Sequence, residues 1–481
     1  MKTRRVQLLI AVALLGLAAL VTGAAFVEPY SPEYDAEYVG SAACGKCHTG
    51  KYERWKHSPH AKMTRRPTPE SVVGNFRDGQ YILPKEGRKS PLDEAPVARM
   101  YREGERYFMA LRHPRETRFV PFEIEWVIGF QHRQVYLTRE PGGVLRRMPL
   151  QWSVPRQEYF SYWNLQEGST PTLEDLWSQM GVNNSAWNLF CARCHTTNLE
   201  VLAKDPQHRT AQTEFLEPGI ACEACHGPGS LHIEYFGTNY ANRVASFLGD
   251  QLEGARAAYI ASAPKLEKGQ SLSVCGRCHG TDILMATTDI YRTYEPGFSR
   301  TGRTNDLSRW FRSTPLTPNR KTPTVEVWAD GRPRGIGMVF RSLIESACYQ
   351  KGDVRCQSCH DPHDNHEATV PGLLEASEAS DAWCLGCHQD LGDLQAHTHH
   401  PPESSGARCY GCHLPRTIEK ITNGVPGTTR THELSSIPKP ENTVRYGEDG
   451  APNACNLCHE DQSPEWALEK VRAWYTAPRK L

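Results

Sequence analysis

One long apolar run stands out, at the amino terminus. Val6 to Phe26 is apolar apart from Gln7, Thr22 and small residues, and Lys2, Arg4 and Arg5 precede it. A positive segment followed by an apolar one is the pattern of an export signal. At about 20 residues the run also matches the thickness of a bilayer. The short charged flank and the small residues Thr22-Gly23-Ala24-Ala25 favour cleavage over retention as an N-terminal membrane anchor. Residues beyond about 27 are therefore expected outside the cytoplasm. With no Cys at the end of the run, a lipid anchor is not expected.

The remaining chain alternates between strand-like and irregular stretches. Ala98 to Arg112 reads as a hairpin turning at Glu103-Gly104. Phe122 to Ile128 alternates like a single strand. Val135 to Met148 reads as a second hairpin across Pro141-Gly142-Gly143. Together they predict a small antiparallel sheet over about 75–155. Thr324 to Trp328 and Gly337 to Phe340 flank Gly331 and suggest another hairpin. Near the carboxyl terminus Ser463 can cap a helix with Pro464 in its first turn and Ala467, Val471 and Trp474 on one face.

Composition adds a constraint. Of 481 residues, 39% are apolar, with 34 Pro and 38 Gly. That is a thin supply for a core, so bound cofactors are expected to contribute to it. The 55 basic and 55 acidic side chains cancel. No overall field directs the chain to nucleic acid or to an acidic membrane surface.

The cysteines carry the chemistry. Sixteen of the 17 fall into eight copies of C-x-x-C-H: Cys44, Cys47 and His48; Cys191, Cys194 and His195; Cys222, Cys225 and His226; Cys275, Cys278 and His279; Cys356, Cys359 and His360; Cys384, Cys387 and His388; Cys409, Cys412 and His413; Cys455, Cys458 and His459. Random placement would give on the order of 0.02 such motifs, so the set is not chance. One helical turn sets both sulfurs on one face, where they can bond the two vinyl groups of a haem, and the following His can ligate the iron. A zinc site needs no His directly after the second Cys. Eight covalently bound c-type haems are therefore expected. The remaining Cys348 reads as a small buried apolar residue.

A low-spin haem needs a sixth ligand, usually His or Met. Twelve histidines lie outside the motifs. His60, His232, His363, His397, His400 and His432 are the candidates, because each lies near a motif or between two. His57, His132, His366 and His399 are less distinct. His113 and His208 sit among charged residues and read as surface groups, and Met63 as core filler.

The expected fold is a mainly α and irregular, haem-cored multihaem cytochrome c with a small antiparallel β insert. Its expected segments are 1–27, the signal or anchor; 28–66, the first haem module; 67–185, the β-rich insert; and 186–290, motifs two to four on short helical turns. A Pro/Gly-rich connector over 291–345 and motifs five to eight with a terminal helix over 346–481 complete the chain.

The stretches Tyr38 to His48, Trp55 to Met63, Trp187 to Leu199, Gly219 to His232, Cys356 to His363 and Pro452 to His459 resemble cytochrome c-554-like multihaem cytochromes over roughly 38–475. The resemblance implies a periplasmic or cell-surface electron-transfer protein and supports the same six histidines as ligands. Cys409 to Pro415 with His432 further resembles multihaem nitrite reductases. Those enzymes, however, carry a C-x-x-C-K motif, and all eight motifs here end in His.

Two functions are expected. The first is extracytoplasmic electron transfer through closely packed, mostly bis-His haems, with redox proteins as partners and an oligomer or filament as a possible assembly. The alternative is an oxidoreductase, resembling hydroxylamine oxidoreductases, whose one open haem acts on a small nitrogen or sulfur compound.

Overall fold

The computed structural model describes residues 6–7, 10–19, 36–161, 170–181, 186–205, 210–238, 240–251, 259–262, 266–280, 327–335, 338–363, 379–421, 426–434 and 439–475. Most of the expected signal lies outside these residues, as do His208, His366 and Thr324 to Glu326. Residues 10–19 are helical and exposed. Among the described residues no helix is long and apolar enough to cross a membrane.

The β insert holds two antiparallel sheets, where one was expected. Strands β1 (Thr64–Arg65), β2 (Gly79–Tyr81), β3 (Ala98–Glu103), β4 (Arg106–Arg112) and β5 (Phe119–Glu123) are followed by β6 (Trp126–Ile128), β7 (Arg133–Arg139), β8 (Leu145–Arg147), β9 (Leu150–Ser153) and β10 (Glu158–Ser161). The first sheet runs β2-β3-β4-β5. The second runs β1-β6-β7-β9-β10, with β8 added to β7.

The faces of both sheets close on one core. Met100, Met109 and Leu111 meet Val127, Tyr136, Leu150, Trp152 and Tyr159 there. Phe76 lies between the sheets with its ring centroid 5.0 Å from that of Tyr136 and 5.5 Å from that of Tyr107. Burial of each large side chain contributes about 1.5–3 kcal/mol, which makes this the part of the chain with a conventional core.

Both expected hairpins are present. The first turns at Gly104-Glu105, one residue later than expected, with Glu103 opposite Arg106. The second pairs Arg139 with Leu145 across Gly142 and Gly143, both at positive φ. The expected strand over 122–128 is instead split, with β5 in the first sheet and β6 in the second. The crossing is held at Glu125, whose backbone N–H donates to Leu137 at 2.8 Å and whose carboxylate accepts from Arg139 at 2.6 and 2.8 Å and from Arg66 at 2.9 Å. Alternation alone reads the same whether a strand continues or changes sheet.

Two further hairpins fall where only haem motifs were expected: Thr196–Asp205 with Thr210–Pro218, and Arg416–Ile421 with Pro426–Arg430. Of the hairpin expected around Gly331, the described residues hold one bridge, between Val327 and Pro333. Its second arm is helix Val339–Glu345, because Phe340, Leu343 and Ile344 pack with Leu272 and Tyr349 at helical spacing. The terminal helix is present as Pro464–Tyr475, with the Trp466 N–H donating to Ser463 Oγ at 3.2 Å and with Ala467 and Val471 buried.

Candidate haem sites

Ala192–His195, Cys222–His226 and Cys409–His413 are short helices of about one turn that carry their motifs, the fourth motif ends the longer helix Lys268–His279, and Ser41–Gly45 holds Cys44 of the first. Cys356–Ser358 forms a 3-10 turn. In the fourth motif Gly276 lies against the Phe340 ring, where a Cβ would come within 2.3 Å of a ring carbon.

A buried carboxylate and a half-buried one draw the first and third motifs together. Glu223 is 1% exposed and accepts from the backbone N–H groups of Val39 at 2.9 Å, Gly40 at 2.8 Å and Gly229 at 2.8 Å. Glu217 accepts from the Ser41 N–H at 2.9 Å.

The hairpin that follows the second motif returns at Gly219, which has φ +75°. A Cβ there would stand 2.7 Å from the Ala61 carbonyl oxygen and 2.9 Å from that of His60. Only glycine lets the segment carrying His60 come this close. Ile220 then donates its N–H to the His60 carbonyl at 3.0 Å.

Six motif imidazoles each face an imidazole from outside the motifs. The centroid separations are 6.2 Å for His48 and His232, 6.4 Å for His279 and His60, and 6.0 Å for His226 and His363. They are 6.2 Å for His360 and His432, 6.2 Å for His413 and His397, and 6.1 Å for His459 and His400. Two metal–imidazole bonds of about 2 Å each, plus roughly 1.1 Å from each nitrogen to its ring centre, sum to roughly 6.2 Å. The gaps therefore fit one iron between each pair. The 79° angle between the His60 and His279 planes fits as well, since rings on opposite sides of a haem can turn independently about the iron axis.

Four of these rings have a partner at the second nitrogen. His226 Nδ1 lies 2.6 Å from the Ala261 carbonyl, His400 Nδ1 2.6 Å from that of Thr398, and His60 Nδ1 3.3 Å from that of Pro362. His363 Nδ1 lies 3.1 Å from Asp361 Oδ1. Such contacts hold the proton on Nδ1 and present Nε2 to a metal. Burial, aided by neighbouring imidazoles, pushes His279 and His432 down to about 4. Both are neutral near pH 7, the form that ligates. Among the described residues no three His, Cys, Asp or Glu donors converge as a zinc centre would require.

The cysteines trace how the sites adjoin. The sulfurs of Cys44 and Cys222, Cys194 and Cys278, Cys275 and Cys356, and Cys384 and Cys409 lie close to one another. Cys225 lies within electrostatic reach of Cys275 and Cys278, Cys359 of Cys384, and Cys412 of Cys458. The motifs thus adjoin in the order one, three, four, five, six, seven, eight, and the second branches off at the fourth.

A family profile for cytochrome c554 and c-prime matches residues 43–75 and 162–227, and a doubled C-x-x-C-H profile matches residues 348–393. The chain thus carries the motifs of multihaem c-type cytochromes and is similar over these parts to the cytochrome c554 family. The cytochrome is 22% identical over 433 residues to the dissimilatory sulfite reductase MccA of Wolinella succinogenes, covering 80% of this chain and 51% of that one. It thus spans about half the length of that relative. Its fold resembles the crystal structure of the outer cell wall cytochrome OcwA, with a TM-score of 0.51 at 18% identity over 91% of this chain and 87% of that one.

Two motif histidines of the cytochrome have no facing imidazole among the described residues. His388 is exposed. His195 is half-buried, its enclosed Nδ1 has no hydrogen-bond partner among the described residues, and desolvation together with Arg133, His279 and Arg147 pushes it down to about 4. The two arginines come from β7 and β8, so the insert supplies the charge around the second motif. Sequence reasoning had not singled them out, since nothing in the spacing relates them to Cys191.

The other sequence candidates lie elsewhere. His399 stacks on Trp474, His113 lies edge-on to Trp177 and beside Glu116, and His57 is exposed. Met63 packs beside Trp126 and Trp187. Cys348, expected to be buried, is only half-buried, and lies within electrostatic reach of Cys384 and Cys387.

Proposed function

We propose that this cytochrome binds eight covalent haems and transfers electrons outside the cytoplasm. The observation that carries the reading is the set of six facing imidazole pairs at 6.0–6.4 Å. Bound haem supplies an iron that cycles by one electron, and bis-imidazole ligation favours lower potentials than His/Met ligation. Imidazoles held facing each other would let a bound iron change charge with little rearrangement. The adjoining motifs offer a continuous route, with redox proteins as donor and acceptor. The apolar amino terminus and the likeness to an outer cell wall cytochrome support the location.

Intact-mass analysis and electron paramagnetic resonance of the oxidised protein test the reading. Eight haem masses and at least six low-spin irons are expected. A mass for seven or fewer haems, bound zinc, or fewer than six low-spin irons overturns it.

A second reading rests on His195. Among the described residues no imidazole lies opposite His195 at the second motif, and Arg133 and Arg147 place positive charge beside it. This favours a small anionic sulfur or nitrogen compound as ligand or substrate, in line with a relative named a sulfite reductase. Carbon monoxide titration of the reduced protein tests for an open position. Uptake of about one equivalent, lost in competition with sulfite or nitrite, is expected. No uptake overturns this second reading and leaves electron transfer alone.

A further inference from the structure

Electrons enter and leave a chain of haems where a haem edge meets the surface. Of the 17 cysteines only Cys47, Cys387 and Cys458 are exposed. Cys47 and Cys458 belong to the first and eighth motifs, the two ends of the series of adjoining sites. The two ends differ in charge. Residues 43–66 carry Lys46, Lys51, Arg54, Lys56, Lys62, Arg65 and Arg66 against a single acid, Glu53. Arg54 pairs with Asp361, Lys56 with Glu53 and Arg66 with Glu125.

Lys46 and Lys51 are exposed, and neither has an ion-pair or hydrogen-bond partner for its ammonium group among the described residues. They flank Cys47 and His48, which are exposed too, and the Lys51 charge reaches the His48 ring. At the other end Cys458 is followed by exposed Glu460 and Asp461. The zero net charge of the chain thus conceals opposite local fields.

We propose that the exposed edge of the first motif, between Lys46 and Lys51, is the docking face for a redox protein whose own centre is ringed by acidic residues. This rests on the electron-transfer reading above. Two unpaired ammonium groups beside an exposed edge raise the encounter rate with an anionic surface and orient it toward that edge. Both remain free to pair on docking, so no internal contact has to break.

The test uses the full haem-loaded protein and two reductants. One is flavodoxin hydroquinone, an acidic one-electron protein donor, and the other is the methyl viologen radical cation, a small low-potential one-electron donor. At low salt the double variant Lys46→Glu/Lys51→Glu is expected to slow reduction by flavodoxin about 10-fold or more and to leave or raise the viologen rate. The flavodoxin effect should vanish at high salt. The neutral Lys46→Gln/Lys51→Gln variant should fall between. An unchanged flavodoxin rate at low salt, with all haems still reduced, overturns the docking face and leaves the electron route intact. Haems that never reduce with either donor overturn the route itself.

Discussion

His399 lies flat on Trp474, with ring centroids 4.3 Å apart and planes 11° apart. His399 has left-handed backbone, with φ +57°, and stands between His397 and His400, which face His413 and His459. The same terminal helix sets Trp466 with its ring centroid 5.0 Å from that of His459. One helix thus touches the eighth motif directly and steadies the loop that supplies the imidazoles facing the seventh and eighth.

Trp474→Ala should therefore loosen that loop without affecting haem attachment. Loss of the stack should cost about 1–2 kcal/mol, read as a lower denaturation midpoint. Two of the low-spin resonance signals should shift or broaden, with the intact mass unchanged. Unchanged signals would show that the stack does not position the loop.

Glu223→Gln should weaken the join between the first and third motifs. The carboxylate faces N–H groups from three residues, and an amide nitrogen in its place would oppose one of them donor to donor. A loss of about 2–4 kcal/mol is expected by chemical denaturation. Proteolysis should then cut first near Val39.

Gly219→Ala should disturb the site of His279, distant from it in sequence. The added methyl group would press on the carbonyls of His60 and Ala61, and the positive φ adds strain. A cost of about 1–3 kcal/mol is expected, with one low-spin signal altered.

Acid should weaken the β insert through Asp93. Burial pushes this carboxyl up, but hydrogen bonds from the Lys89 N–H, Arg112 and the Ser90 N–H outweigh burial and hold it below the usual range. A depressed folded value means that the stabilisation is complete above the unfolded value of about 3.9 and is lost as pH falls through the folded one. Asp93→Asn should remove that part of the acid dependence. It should also cost about 3 kcal/mol at neutral pH by leaving buried Arg112 without its carboxylate. Thermal melts of both proteins between pH 3 and pH 7 measure this, with the pH range set around the unfolded carboxylate value of about 3.9.

The motifs are legible in the sequence because each is local: two cysteines and a histidine within one helical turn need nothing from the rest of the chain. The two hairpins of the insert and the capped terminal helix are legible for the same reason. The partner of each motif imidazole is not local. His363 follows His360 by three residues yet faces His226, and His232 follows His226 by six yet faces His48. A residue so close along the chain cannot reach around a haem to its far side, so the facing ring comes from another segment. The placing of Arg133 and Arg147 beside His195 likewise arises only when the β insert packs against the second motif. Sequence alone determined how many C-x-x-C-H motifs there are and where each lies. Tertiary packing decided which sites adjoin and which imidazoles face each other, because both depend on contacts between segments far apart in the chain.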